Sequence, residues 1–205
     1  VADGAGAPGR VFVTGATGLI GGVLCEALGA AGAEVIALSR RRRDEPPPGP
    51  GSRFVEGDVT RSGAWQDEVA GADAVVHLAG EGIAAHRWTE AFKETLRASR
   101  IDGTRRVVEA MARSARPPAT LVCASAAGYY GPRGEEPLDE SAAPGDDFLA
   151  RLCVDWEAEA RGAAAAGARV VSLRFAMVLA RDGGALPRML PPFKLGLGGP
   201  LGPGE

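Results

Sequence analysis

Residues 10–21 read RVFVTGATGLIG, and the fold is decided in this stretch. Arg10–Thr14 is a short apolar run that ends in a glycine turn, and Leu19–Ala31 then carries apolar residues at helical spacing. Between them, Gly15, Gly18 and Gly21 recur at every third position, and Glu34–Leu38 (EVIAL) follows as a second buried strand. Small residues in such a turn let backbone N–H groups approach a pyrophosphate, while the helix start offers unpaired donors and a positive dipole end. A side chain at Gly18 would stand where the phosphate sits, and one at Gly21 would hold helix and strand apart. The reading is a dinucleotide cradle of Gly15, Thr17, Gly18, Leu19, Ile20 and Gly21. A nucleotide-triphosphatase loop is excluded, because no lysine follows the glycines.

The end of the second strand selects the dinucleotide. An acidic residue there would bond the ribose 2′-hydroxyl of NAD and repel a 2′-phosphate. The chain instead has Ser39 and Arg40, followed by Arg41–Arg43. A hydroxyl and guanidinium groups suit a phosphate dianion, so NADP(H) is expected in preference to NAD(H). Two further segments fit the same cradle. Gly57-Asp58-Val59 follows the third strand, with Asp58 placed to accept from the adenine amino group, and Leu78-Ala79-Gly80 ends the fourth.

Outward from this core the pattern keeps alternating. Strands are expected at Arg53–Glu56, Asp73–Leu78, Thr120–Ala124 and Arg169–Phe175. Helices are expected around Ala64–Val69, over Trp88–Ala115 and over Asp147–Ala166. Arg40–Ser52, charged and then rich in proline and glycine, reads as irregular connection. Strands with little alternation, separated by helices, mean a parallel sheet covered on both faces, hence a doubly wound α/β fold of Rossmann type. Val1–Gly9 reads as a small, polar, disordered tail, 10–182 as the dinucleotide-binding domain, and 183–205 as a glycine–proline segment without regular structure.

Composition narrows the function classes. The 205 residues suffice for one ordinary domain, and 23 Lys+Arg against 26 Asp+Glu give −3, no field to draw nucleic acid. The longest apolar runs are far too short to cross a bilayer, and no signal segment opens the chain, so a soluble, cytoplasmic protein is expected. Three cysteines without a C-x-x-C pair and two histidines argue against a disulfide framework or a metal site. Cys25 and Cys153 fall in helical patterns as small apolar residues, and Cys123 lies on a strand with no supporting nucleophile motif. Ser125 lacks the glycine two positions before it that a hydrolase elbow needs.

Thr14–Gly21, Gly57–Val59, Leu78–Gly80 and Ser125-Ala126-Ala127-Gly128-Tyr129-Tyr130-Gly131, in this order, resemble the extended short-chain dehydrogenase/reductase superfamily. More narrowly, the chain resembles the nucleoside-diphosphate-sugar epimerase branch of the NAD-dependent epimerase/dehydratase group, the "epimerase family protein" set. That match rests on His77–Glu81, Arg87-Trp88, Ser99-Arg100 with Gly103-Thr104, Ser125–Gly131, Trp156-Glu157 and Leu190–Gly202. It implies the Rossmann fold and cofactor, and a substrate region that begins near residue 183 and continues past Glu205.

The resemblance also implies catalytic machinery, a serine with Tyr-x-x-x-Lys, in which lysine activates the tyrosine that exchanges a proton with the substrate oxygen. Ser125 matches the serine. The helix that should carry the pair reads DDFLARLCVDWEAEARGA, with Leu149 and Cys153 in the two positions. Three readings stay open. Tyr129 or Tyr130 supplies the proton from the loop after Ser125, with Arg133 the basic residue four positions beyond Tyr129. Glu81 acts as acid or base if burial raises its pKa. Or the protein binds NADP(H) without turnover. Arg100, where extended relatives carry an asparagine, and Arg174, ending the sixth strand, are candidate clamps for a phosphate or carboxylate, with Arg87 weighed beside them. The expectation is an NADP(H)-dependent reductase or epimerase acting on a small carbonyl or sugar-nucleotide, with Ser125 and Tyr130 at the nicotinamide. The alternative is a silent cofactor sensor or docking module. No nucleic-acid or membrane partner is expected, and a homodimer would use the two long helices.

Overall fold

The computed structural model describes residues 9–181 and 183–199. Six strands, β1 (Arg10–Thr14), β2 (Glu34–Ser39), β3 (Arg53–Glu56), β4 (Ala74–His77), β5 (Thr120–Ala126) and β6 (Arg169–Phe175), form one sheet. Its order is β3-β2-β1-β4-β5-β6. β1 runs parallel to both neighbours, with Phe12 opposite Ile36 on one side and Val75 on the other. Strand order reverses between β1 and β4, and in open α/β sheets that reversal opens a crevice at the carboxyl edge. The expected doubly wound fold is present.

The strand sequences explain the burial. Val11, Phe12, Val13, Val35, Ile36 and Ala37 are all buried, so neither face of β1 or β2 meets water. Unbroken apolar runs of this kind are what a sheet covered on both sides requires. Phe12 stacks on Trp65, with ring centroids 6.1 Å apart, and Trp65 lies in a single 3₁₀ segment, Ala64–Val69, where a weak helix was expected.

Helix α1 (Leu19–Ala30) follows the glycine turn. The long helical region begins at α2 (Glu90–Arg97), where Thr89 Oγ1 accepts the Phe92 N–H at 3.2 Å and so caps it. A five-residue π-helical turn, Ala98–Asp102, then joins it to α3 (Gly103–Arg113). There the Thr104 hydroxyl donates back to the Arg100 carbonyl at 2.6 Å. α4 (Phe148–Arg161) runs on into a 3₁₀ turn over Gly162–Ala166.

The segment read as structureless is not. β7 (Leu179–Ala180) and β8 (Gly183–Gly184) pair antiparallel, and α5 (Leu186–Lys194) follows. Pro187 falls in the first turn of α5, where a missing N–H costs nothing. Pro191 and Pro192 lie inside α5, against the usual rule, so the proline content pointed away from a helix. Residues 1–8 of the expected tail, and residues 200–205 of the last segment, lie outside the described residues.

Arg40–Ser52 is irregular, as expected, but it is fastened at both ends. Ser39 Oγ donates to the Arg41 carbonyl at 2.8 Å and accepts the Arg41 N–H at 3.3 Å. At the far end Ser52 Oγ accepts the Val35 N–H at 2.8 Å and donates to the Pro48 carbonyl at 3.1 Å. Pro47 between them is buried.

The chain divides into two compact units. The first comprises the chain up to Ala124 together with Asp155–Leu173; the second comprises Ser125–Val154 together with the chain from Arg174 on.

Candidate functional site

The first unit carries a cleft at the carboxyl ends of β1, β2, β3 and β4. Gly15, Thr17 and Gly18 line it from the turn, Ser39 and Arg40 from the end of β2, Asp58 and Val59 from the end of β3, and Leu78–Glu81 from the end of β4. Eleven of the residues singled out from sequence thus converge on one concavity. Leu38, Gly57, Thr60 and Ser99 complete its lining. Thr60 is set there by local chemistry that sequence reading overlooked, since its N–H and hydroxyl both bond Asp58 Oδ1, at 2.9 and 2.8 Å.

The turn fits a dinucleotide phosphate bridge. Gly15 has φ +69°, and a Cβ there would stand 2.7 Å from the Leu78 carbonyl carbon, so the first turn packs directly on the chain leaving β4. A Cβ at Gly21 would lie 2.8 Å from Ala16 Cα, which confirms a close approach of helix and turn at that glycine. α1 starts at Gly18 with no side-chain cap and no acidic residue in its first turn. Its leading N–H groups therefore meet no competing carboxylate, and its positive end faces the cleft. Leu19, Ile20 and Gly21 form that first turn and contribute backbone rather than lining.

Beneath the turn, β1 and β4 are pinned together. Thr14 and His77 are register partners, with Thr14 Oγ1 2.6 Å from His77 Nδ1. The Ala79 N–H donates to the same Oγ1 at 3.3 Å, and the Leu78 N–H to the Thr14 carbonyl at 3.2 Å. His77 is fully buried, and burial pushes its imidazole down to about 4, so it is neutral near pH 7. Its Nε2 has no hydrogen-bond partner among the described residues.

Arg40 and Asp58 line the same cleft, a cation beside an anion. Burial pushes the Asp58 carboxyl up, but bonds from Thr60 and the charges of Arg61 and Arg40 leave it below the usual range. Asp58 is an ionised acceptor there. Ser39 plays a different part from the one expected. Its hydroxyl is committed to the Arg41 backbone and shapes the loop that presents Arg40.

Arg100 also departs from expectation. Its guanidinium donates to the Glu81 carbonyl at 3.0 Å and to the Leu96 carbonyl at 3.3 Å, and Cζ sits 5.2 Å from the Trp156 ring centroid. With Ser99 Oγ accepting the Glu81 N–H at 3.1 Å, the π-helical turn holds Gly80–Glu81 in place. Arg100 positions the cleft wall by way of backbone. Glu81 lines the cleft itself, and Arg87 is exposed.

Ser125, Tyr129, Tyr130 and Arg174 belong to the second unit. Ser125 is buried near the end of β5. Arg174 Nη1 donates to Tyr130 Oη at 2.9 Å, with its Cζ 3.5 Å from the Tyr129 ring centroid. Arg133, the partner suggested by spacing, donates instead to the backbone carbonyls of Tyr130 and Ala143, at 3.0 and 2.8 Å. On α4 Cys153 is buried and Leu149 half-buried, and a Cβ at Gly128 would touch Leu149. The remaining thiols are inert by environment. Cys25 is buried, and burial pushes Cys123 up to about 12.

Comparison with known proteins agrees with this geometry. Residues 11–197 match the family described as NAD dependent epimerase/dehydratase. An epimerase family protein of Mycobacterium bovis is 43% identical over 196 residues, 95% of this chain and 62% of that protein. The crystal structure of the nucleoside-diphosphate sugar epimerase from Corynebacterium glutamicum superposes with a TM-score of 0.79 at 40% identity, covering 97% of this chain and 40% of that one. Human epimerase family protein SDR39U1 (isoform2), solved with NADPH, gives 0.75 at 38% identity, covering 95% and 63%. The chain spans 62% of the length of the mycobacterial relative it matches. It belongs to the NAD dependent epimerase/dehydratase family.

Proposed function

We propose, from that family membership and the cleft at the strand reversal, that the chain is the cofactor-binding part of an NADP(H)-dependent reductase or epimerase. Its substrate would be a small carbonyl compound or a sugar-nucleotide. The observation that carries the reading is the convergence of an uncapped α1, the glycine turn and Arg40 on one cleft. The diphosphate would lie on the Thr17–Ile20 backbone, Asp58 would accept from the adenine amino group, and Arg40 would meet a 2′-phosphate with a charge-assisted bond. When bound, the dinucleotide supplies or takes the hydride. The human relative solved with NADPH supports binding of the phosphorylated cofactor.

A second reading is a cofactor-dependent sensor or docking module without turnover. The specific observation in its favour is α4, whose sequence FLARLCVDWEAEAR holds neither tyrosine nor lysine. Monomer and homodimer both stay open, and sedimentation would decide between them; in a homodimer α2–α3 and α4 would be the pairing helices.

Calorimetric titration with NADPH and NADH in parallel, repeated on Arg40→Asp, tests the cofactor reading. NADPH should bind more tightly than NADH, and the variant should lose the difference. Equal affinities in the unaltered chain would refute the role given to Arg40. Among the described residues no helix is long and apolar enough to cross a membrane.

A further inference from the structure

The cleft of the first unit has an end that the adenosine contacts do not reach. In the strand order β3-β2-β1-β4, Arg40 and Asp58 stand past the ends of β2 and β3, and the glycine turn follows β1. A dinucleotide with its adenosine beside the first two and its diphosphate on the turn carries its nicotinamide riboside to the end of β4. Leu78, Ala79, Gly80, Glu81 and Ser99 line the cleft there, and of these Glu81 alone has an ionisable side chain.

The backbone of Glu81 is fastened on both sides. Its N–H donates to Ser99 Oγ at 3.1 Å, and its carbonyl accepts from Arg100 Nη2 at 3.0 Å. Both partners belong to the π-helical turn, and Arg100 is itself braced from behind. Its Cζ lies 5.2 Å from the Trp156 ring centroid. Thr104, whose hydroxyl donates to the Arg100 carbonyl at 2.6 Å, accepts the Trp156 Nε1–H at 2.8 Å. A Cβ at Gly80 would stand 3.6 Å from Arg100 Cζ, so the guanidinium also rests on the wall beside Glu81. An apolar side chain would pack on a buried indole as well. What the guanidinium adds is the bond to the Glu81 carbonyl, 19 positions away in the chain. All of these residues lie in the first unit. With its backbone committed, Glu81 has its two carboxyl oxygens left as acceptors for a ligand.

We propose that Glu81 binds the nicotinamide riboside, its carboxyl oxygens accepting from the ribose hydroxyls, and that Arg100, seated on Trp156, is its positioning residue. A carboxyl group offers two acceptors side by side, which suits a pair of neighbouring hydroxyl donors. The inference rests on the dinucleotide reading above and assigns the part of the cleft which that reading leaves without a polar contact.

Parallel calorimetric titrations with NADPH and with adenosine 2′,5′-bisphosphate test it, because the second ligand lacks the riboside. Glu81→Ala should weaken NADPH binding about tenfold, the scale of one to two hydrogen bonds lost, and leave bisphosphate binding unchanged. Arg100→Met keeps an apolar stem against Trp156 and should show the same split at about fivefold, with part of the loss recovered in Arg100→Lys. Arg40→Asp, at the other end, should weaken both ligands. Undiminished NADPH affinity in Glu81→Ala overturns the inference. So does an equal loss of both ligands in Arg100→Met, which would mark a general loosening of the cleft. An unaltered chain that binds neither ligand overturns the dinucleotide reading itself, and the inference falls with it.

Discussion

His77 is buried at 0% exposure between β1 and the helical region, with Thr14 on one side and Gly103 close behind the ring. Its register partner on β5 is Cys123, whose thiol is pushed up to about 12 and is therefore neutral. The imidazole ordinarily titrates at 6.5 and is pushed by burial to about 4. The unfolded chain thus takes up a proton at His77 before the folded chain does, so stability falls as the pH drops through the window from 6.5 to about 4. At 1.36 kcal/mol per unit, the full loss is about 3 kcal/mol, of which about 2 kcal/mol appears between about pH 7 and pH 5. That is a sizeable share of the 5–15 kcal/mol by which domains are typically stable, roughly speaking. Urea unfolding followed by tryptophan fluorescence reads it, because Trp65 and Trp156 are both buried. The comparison that isolates the residue is His77→Gln, an amide that still offers Thr14 a partner and does not titrate. The midpoint of the unaltered chain should fall by the stated amount over that pH interval, and the midpoint of the variant should fall much less. If the two fall in parallel, the imidazole is not neutral by burial and the argument fails.

Other expectations follow from the same geometry. Gly21→Ala forces a Cβ against Ala16 and the Gly15 carbonyl, so it should cost about 1–3 kcal/mol and weaken NADPH binding together, as unfolding and calorimetry would show. Trp156 Nε1 donates to Thr104 Oγ1 at 2.8 Å in a buried setting, and Thr104→Val strands that donor. The expected loss is about 1–3 kcal/mol in denaturant, and a neutral result would mean that the donor finds another acceptor. A disulfide thiol reagent should leave Cys25, Cys123 and Cys153 unmodified in the native protein and modify all three in urea; fast reaction of any one without urea would contradict its burial.

The sheet was legible because its strands are written in runs. Arg10–Thr14 and Arg169–Phe175 are bounded as the apolar pattern bounds them, and the glycine spacing marks the turn between β1 and α1. The cleft was legible for the same reason, since each of its segments follows a strand end. Side-chain partnerships were not. Nothing local connects Tyr130 with Arg174, and spacing pointed to Arg133, which backbone carbonyls claim. Ser39 was read by its chemistry at a strand end, whereas the nearest groups, those of Arg41, took its hydroxyl. The π-helical turn leaves no mark in apolar periodicity, because one widened turn barely shifts it. α5 was missed because Pro191 and Pro192 fall inside it, where a missing N–H argues against a helix.

The loop between β2 and β3 has a consequence for how such proteins change. Its two fastenings, Ser39 to Arg41 and Ser52 to Val35 and Pro48, engage backbone atoms and no loop side chain. Arg40–Glu45 are exposed, and among them Arg43 reaches the sheet by lying over the Phe54 ring, 5.6 Å from its centroid. The segment is therefore a cassette: its charge can be rewritten by exchange of a few codons while the scaffold that holds both ends stays intact. Ligand choice and foldability are inherited separately along this chain, and a lineage or an engineer can alter the first without renegotiating the second.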